Sequence, residues 1–198
     1  NARRFLISEL SGKSNVLLMA KALDLKLDGD TPETKAILQQ VRELENQGYQ
    51  FEAAEASFEL LMRRVLGREK KFFAVREVSI GVEQIGDGSP ISRATVKLDV
   101  HGKEAHVVAD GDGPVNALDN ALRKALIPFY RTLEKIHLTD YKVRVVNSQA
   151  GTAAKVRVFI QFQDAENTWS TIGVSENIIE ASWQALVEIG RASCRERV

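Results

Sequence analysis

The hydrophobic period changes partway along the chain, and that change restricts the fold more than any single motif does. Before residue 67 apolar side chains recur at three- and four-residue spacing; beyond Phe72 they alternate, with two helical stretches interposed. A chain written this way builds a helical segment and then strand-and-helix units, which is an α+β protein.

The alternating part also repeats. Val78, Ile80 and Val82 form a first strand, Gly86-Asp87-Gly88-Ser89-Pro90 is a turn, and Ala94, Val96, Leu98 and Val100 form a second strand. A third strand lies around 104–109, and after Gly113-Pro114 the residues Leu118, Ala121, Leu122, Ala125 and Leu126 fall at helical spacing. The order strand, strand, strand, helix then returns over 141–146, 156–161, 168–172 and 175–189. An offset of sixty residues sets Ala94 against Ala154, Val96 against Val156, Gly113 against Gly173, Ala121 against Ala181 and Ala125 against Ala185. This is the mark of an internal duplication. Two such units, each with one apolar sheet face and one apolar helix stripe, bury those faces against each other about a pseudo-two-fold axis, a natural place for a ligand.

The first third carries helix signals. Ser14 caps a helix over 15–26, with Val16, Met19, Ala20 and Leu23 on one stripe. Thr31 and Pro32 open a second, with Ile37, Leu38, Val41 and Leu44 on one face and Gly48 beyond its end. A third runs from about Glu52 to Leu66 and stops at Gly67. The charged run Arg68-Glu69-Lys70-Lys71 reads as a solvated connection. The expected domains are a helical linker over 1–71 and a duplicated βββα domain over 72–190. Residues 191–198 read as an appended tail, because periodicity stops after Gly190. Asn1, followed closely by a helix cap signal, reads as the start of a segment cut from a longer protein.

Composition removes whole classes of function. Twenty-seven Lys and Arg balance twenty-seven Asp and Glu, so no overall field draws the chain to nucleic acid or an anionic membrane. No apolar run approaches the ~20 residues of a membrane-spanning helix. The single cysteine, Cys194, excludes an internal disulfide framework and fits a reducing, cytoplasmic setting.

Motif by motif, catalysis finds no support. Gly12-Lys13-Ser14 lacks the earlier glycine of a phosphate-binding loop, since Ile7 stands there. Asp110-Gly111-Asp112-Gly113 lacks the bidentate Glu of a calcium loop and reads as a turn into a helix. His101, His106 and His137 have no shared ligand spacing, and no glycine-flanked serine elbow exists. The expectation is no catalytic residue, no metal ligand set and no cofactor. What remains is two glycine-led helix starts, at Gly113-Pro114 and Gly173-Val174, and the small-residue loop 150–154. Helix starts present free N–H groups that suit a carboxylate; equally, the glycines can be demanded by tight turns.

Three stretches carry a family resemblance. Ser8-Glu9-Leu10-Ser11-Gly12-Lys13-Ser14-Asn15, then Gly48-Tyr49-Gln50-Phe51-Glu52-Ala53-Ala54-Glu55-Ala56-Ser57-Phe58-Glu59-Leu60-Leu61, then Ile172-Gly173-Val174-Ser175-Glu176-Asn177-Ile178-Ile179-Glu180-Ala181-Ser182 resemble the C-terminal part of citramalate synthases. These belong with 2-isopropylmalate and homocitrate synthases. Leu10 stands where isopropylmalate synthases carry the His of a His-Ser-Gly-Arg motif. The resemblance implies a full-length acyltransferase whose N-terminal barrel, dependent on a divalent metal, condenses acetyl-CoA with pyruvate on the route to isoleucine. It implies that this fragment, lacking the barrel, is inactive alone, forms a homodimer, and binds an end-product branched-chain amino acid, isoleucine, for feedback inhibition. By position the effector site falls on Gly151, Thr152 and Ala153, with apolar walls from Leu122, Leu126 and Phe129 and backbone partners near Gly173 and Val174. Two other readings stay open: a purely structural dimerisation module, and the equivalent leucine-binding domain of a 2-isopropylmalate synthase.

Overall fold

The computed structural model describes residues 13–22, 27, 29–84 and 86–194. Three helices lead: α1 (Lys13–Ala22), α2 (Pro32–Asn46) and α3 (Glu55–Val65). The residues 8–12 of the first motif, the end of the expected first helix over 23–26, and 195–198 lie outside the described residues. Thr31 starts α2 by accepting the Thr34 N–H on its side chain at 3.3 Å, and Pro32 takes the first position, where no donor is needed. α3 begins later than the expected Glu52. Ala54 N–H donates to the Phe51 carbonyl at 3.0 Å, and this turn buries both Phe51 and Ala54 beneath the helices.

Two three-stranded antiparallel sheets follow. β1 (Ala74–Glu83), β2 (Ile91–Val100) and β3 (Lys103–Gly111) form one, with α4 (Pro114–Leu126) packed on β3 and β2. β4 (His137–Val145), β5 (Val156–Gln163) and β6 (Thr168–Ser175) form the other, with α5 (Ile178–Ser193) packed on β6 and β5. The fold is α+β with a duplicated βββα unit, as the pattern of periods requires. α4 touches α5, and one core takes Val96, Leu98, Leu118 and Leu122 from the first unit together with Ile160, Phe162, Ala185 and Leu186 from the second. Periodicity does not end at Gly190: α5 continues to Ser193, and Ala192 and Cys194 join that core.

The duplication is real, but its offset is not sixty. Ser92 faces Gly111 in the first sheet and Val156 faces Ser175 in the second, so an offset of 64 carries one pair onto the other. The same offset carries the cap Gly113 to the cap Asn177 and Pro114 to Ile178. In the first strands it is 63, carrying the β1 bulge between Val75 and Glu77 onto the β4 bulge between Leu138 and Asp140. The expected equivalences Gly113 with Gly173 and Ala125 with Ala185 therefore fail. Gly113 caps a helix, whereas Gly173 lies inside β6. The reason is periodicity itself: an error of four residues preserves strand alternation, because four is even, and nearly preserves a helical face.

The sheets differ on the side away from their helices. Ile172 and Val174 of β6 join the core of α1, α2 and α3, and Phe159 of β5 packs against it. The second sheet is therefore covered on both faces. Their counterparts at the 64-residue offset, Val108, Asp110 and Thr95, belong to neither core, and the polar side of the first sheet carries ion pairs such as Arg93–Asp110 at 2.7 Å.

Candidate functional site

The loop singled out by the sequence is a short 3-10 turn, Ser148–Ala153, joining β4 to β5. It is pinned at its base: Val146 N–H donates to the Lys155 carbonyl at 2.8 Å, and Lys155 N–H donates to the Asn147 side chain at 3.0 Å. Gly151 kinks the turn with φ +58° and ψ −129°, a conformation that residues bearing a Cβ rarely adopt. A Cβ there would meet nothing within 4 Å. Strain, not crowding, restricts the position. Gly151, Thr152 and Ala153 are all exposed.

The other expected site residues sit elsewhere. Leu122 and Leu126 are buried in the core shared by the two units, and Phe129 packs against it. Gly173 and Val174 do not open a helix. They lie in β6, the helix starts at Ile178, and the Asn177 side chain caps it by accepting the Ile179 N–H at 2.9 Å. The Val174 N–H is already used, donating to Gln184 Oε1 at 3.0 Å. At Gly173 a Cβ would come within 1.9 Å of the Ala181 carbonyl oxygen, so this glycine exists to let α5 press onto the strand. Of the two glycine-led helix starts, only that at Gly113-Pro114 forms.

One residue cluster escaped the sequence reading. Arg157, on the outward side of β5, donates through Nε to the Gly48 carbonyl at 2.6 Å and through Nη1 to Gln50 Oε1 at 2.7 Å. Tyr49 O–H donates to Gln184 Oε1 at 3.3 Å. Gly48 has φ +109°, and a Cβ on it would stand 3.1 Å from Val146, the residue that closes the loop base. The turn after α2 thus meets the outer face of β5 and Val146 at the base of the loop. No local pattern could reveal this, because Arg157 alternates with Val156 and Val158 as any solvent-facing strand residue does.

A second feature lies on the first strands. Directly opposite residues of an antiparallel pair share a face, so Val78 and Val82 belong with Val96 and Ser92, and Val143 and Val145 with Val158 and Val156. These are core-facing positions, yet Val82 is 57% and Val145 58% exposed. Neither α4 nor α5 extends across β1 or β4 as it does across the other strands.

Among the described residues no group of three His, Cys, Asp or Glu side chains is placed to hold a metal ion. No described helix is long and apolar enough to cross a membrane. Cys194 is buried, and desolvation pushes its thiol up to about 12.

The family model of the LeuA allosteric (dimerisation) domain matches residues 52–192. Over 193 residues the chain is 52% identical to an (R)-citramalate synthase of Geobacter sulfurreducens, a match covering 95% of this chain and 36% of that protein. It is 48% identical over 187 residues to an (R)-citramalate synthase of Aquifex aeolicus, covering 94% and 35%. A 2-isopropylmalate synthase of Shewanella frigidimarina is 31% identical over 99 residues, covering 50% of this chain and 17% of that protein. The chain spans about a third of the length of the curated citramalate synthases it matches.

Proposed function

Because this chain belongs to the LeuA allosteric (dimerisation) domain family, we propose that it is the regulatory part of an (R)-citramalate synthase. In this reading it forms a homodimer through residues 72–190 and binds isoleucine as feedback inhibitor. Residues 1–71 lead to a catalytic barrel that lies outside this chain and carries the divalent metal. The barrel joins acetyl-CoA to pyruvate, and this chain alone turns over neither. The citramalate reading is favoured over the isopropylmalate one by a match that spans nearly the whole chain at higher identity.

The observation that carries the dimer is the pair of uncovered first strands. Val82 and Val145 occupy core-facing positions yet stay exposed, because among the described helices α4 reaches β1 only at its margin and α5 does not cover β4, and exposed apolar surface of this kind marks an association surface. A second copy supplies the missing cover, giving a closed two-fold assembly. Light scattering of the chain should return twice the monomer mass, and a monomer at high concentration refutes it.

The effector contacts are proposed on the exposed turn, at Gly151, Thr152 and Ala153. The buried members of the set, Gly173, Val174, Leu122 and Leu126, and the half-buried Phe129, act through packing. A branched aliphatic side chain gains ~1.5–3 kcal/mol on burial. Inhibition then requires that isoleucine bind two arrangements of the dimer unequally. Calorimetric titration with isoleucine, leucine and valine tests the reading, with melting curves run in parallel. Gly151→Asp is a poor probe, because φ +58° adds backbone strain to any charge effect. Thr152→Asp is the cleaner one and should weaken isoleucine binding about tenfold or more while leaving the melting temperature nearly unchanged. A wild type that binds none of the three amino acids favours a purely structural module.

A further inference from the structure

A cavity of about 200 Å³ lies where the end of α3, the segment leading into β1 and the last turn of α5 converge. Its floor is made by Leu60 and Phe72, both buried. Its rim carries Arg63, Arg68, Lys70 and Arg191 against a single acid, Glu69. These charges do not cancel within the rim. Arg63 pairs with Glu59 at 2.8 Å, and Glu69 pairs with Arg64 at 3.5 Å. Among the described residues Arg68, Lys70 and Arg191 take part in no ion pair.

Helix-end electrostatics accounts for half of this. Arg63 and Arg191 lie in the last turns of α3 and α5, where the partial negative charge of the helix end favours a cation. Arg68 and Lys70 follow α3 and gain nothing from it, yet they line the same cavity. An ordinary solvated connection, as the sequence suggests for 68–71, would spread its cations apart in water; here they converge with Arg191 over an apolar floor.

We propose that this cavity binds a small organic dianion, two carboxylates on a short apolar carbon skeleton. Arg68 and Lys70 have no acid paired with them, and Arg191 is offset only by the neighbouring Glu188, so the rim keeps an excess of positive charge that calls for more than one negative charge, and guanidinium forks match carboxylates in shape. Leu60 and Phe72 match carbon rather than water. The volume is below the roughly 300–1,000 Å³ of a site for drug-sized molecules and suits a short carbon skeleton. The inference is independent of the effector reading, because an amino acid brings an ammonium group that the rim repels.

Succinate is the probe, titrated by calorimetry and by melting temperature at constant ionic strength, with sulfate as the inorganic dianion and isoleucine as the zwitterion. The expected result is one saturable succinate site of millimolar affinity, with sulfate several-fold weaker. Arg68→Gln and Arg191→Gln should each lower succinate affinity about tenfold and leave any isoleucine response unchanged, while Arg93→Gln, on the outer face of the first sheet, changes nothing. Arg68 and Lys70 are exposed, so Arg68→Gln and Lys70→Gln keep the test valid if Arg191→Gln folds poorly. A succinate effect equal to that of sodium chloride overturns the proposal, as do rim variants that bind like wild type. Sulfate binding as tightly as succinate overturns the dicarboxylate assignment, since only charge would then be recognised.

Discussion

Arg93 and Arg157 occupy the same position of the duplicated unit and serve different partners. Arg93 holds Asp110 on the neighbouring strand at 2.7 and 3.2 Å, wholly within its own exposed sheet face. At the place of Asp110 the second unit has Val174, buried under α1, α2 and α3. Arg157 therefore has no acid beside it and reaches out of the sheet to Gly48 and Gln50. The same substitution of partner runs across the outer side: Thr95 against Phe159, Val108 against Ile172 and, on the helices, Lys124 against Glu188. The two units keep one inner register and were specialised on the outside, the first for solvent and the second for the helical segment. The outer face of the second sheet, and not that of the first, is where the helical segment seats.

The harshest test of this contrast is at the helix–sheet contact. Ala117 and its counterpart Ala181 press onto the last strand of each unit, but against different glycines. In the first unit Gly111 gives way, where a Cβ would stand 2.4 Å from Ala117 N; in the second it is Gly173, at 1.9 Å from the Ala181 oxygen. The residue equivalent to Gly173 in the first unit is Ala109. Gly173→Ala should cost about 3 kcal/mol or more, because the obstacle is backbone and cannot rotate away. Ala109→Gly should cost only ~0.5–1 kcal/mol. Denaturant titration of both variants decides it, and similar losses would mean that the two helix–sheet contacts are equivalent after all.

A smaller effect separates the two arginines. Arg157→Gln removes two hydrogen bonds from a charged donor to partners beyond the sheet, and should cost about 1–2 kcal/mol. Amide exchange should quicken at Tyr49 and Gln50. Arg93→Gln should leave stability unchanged within error, since its ion pair is exposed on both sides. Equal losses would show that Arg157 is no more than another surface charge.

The fold was largely legible from the sequence, because helices and strands announce themselves by period. The order of elements, the duplication and the start of α2 at Thr31-Pro32 all followed from local pattern; the expected cap at Ser14 did not form, since α1 already begins at Lys13. What misled was an ambiguity in the pattern itself. Sixty and sixty-four residues put nearly the same side chains on the same faces, and only hydrogen-bond pairing such as Ser92 with Gly111 and Val156 with Ser175 distinguishes them. The candidate site was less legible. Gly173 looked like a helix start because glycine serves a turn and a close contact equally well. The cluster of Arg157, Gly48 and Val146 joins residues about a hundred positions apart, where no spacing rule reaches.

Glu188 offers the finest probe of the outer faces, because its counterpart Lys124 stands in solvent. Lys124 reaches the Val108 carbonyl at 3.0 Å on an exposed surface. Glu188 instead enters the seam between α5 and α3, where its carboxylate accepts a hydrogen bond from Ser57, whose oxygen accepts the Ile172 N–H at 2.9 Å. Burial in that seam holds the carboxyl above its ordinary 4.5, although Ser57, Arg64 and Arg191 pull the other way. The folded chain thus keeps this proton to a higher pH than the unfolded chain does. Between 4.5 and the raised folded value the folded state binds more protons, so this group's contribution to stability falls as pH rises through the window. Glu188→Gln keeps a hydrogen-bonding group on Ser57 without the buried charge. It should flatten the stability curve in that window and leave the variant as stable as wild type at neutral pH, or more stable by up to about 1 kcal/mol. Lys124→Gln should leave the curve's shape untouched. Denaturant midpoints taken from about pH 4 to about pH 8 compare the three chains; a Glu188→Gln curve parallel to wild type would mean that α3 does not desolvate the second helix, and the contrast between the two outer faces would then rest on the sheets alone.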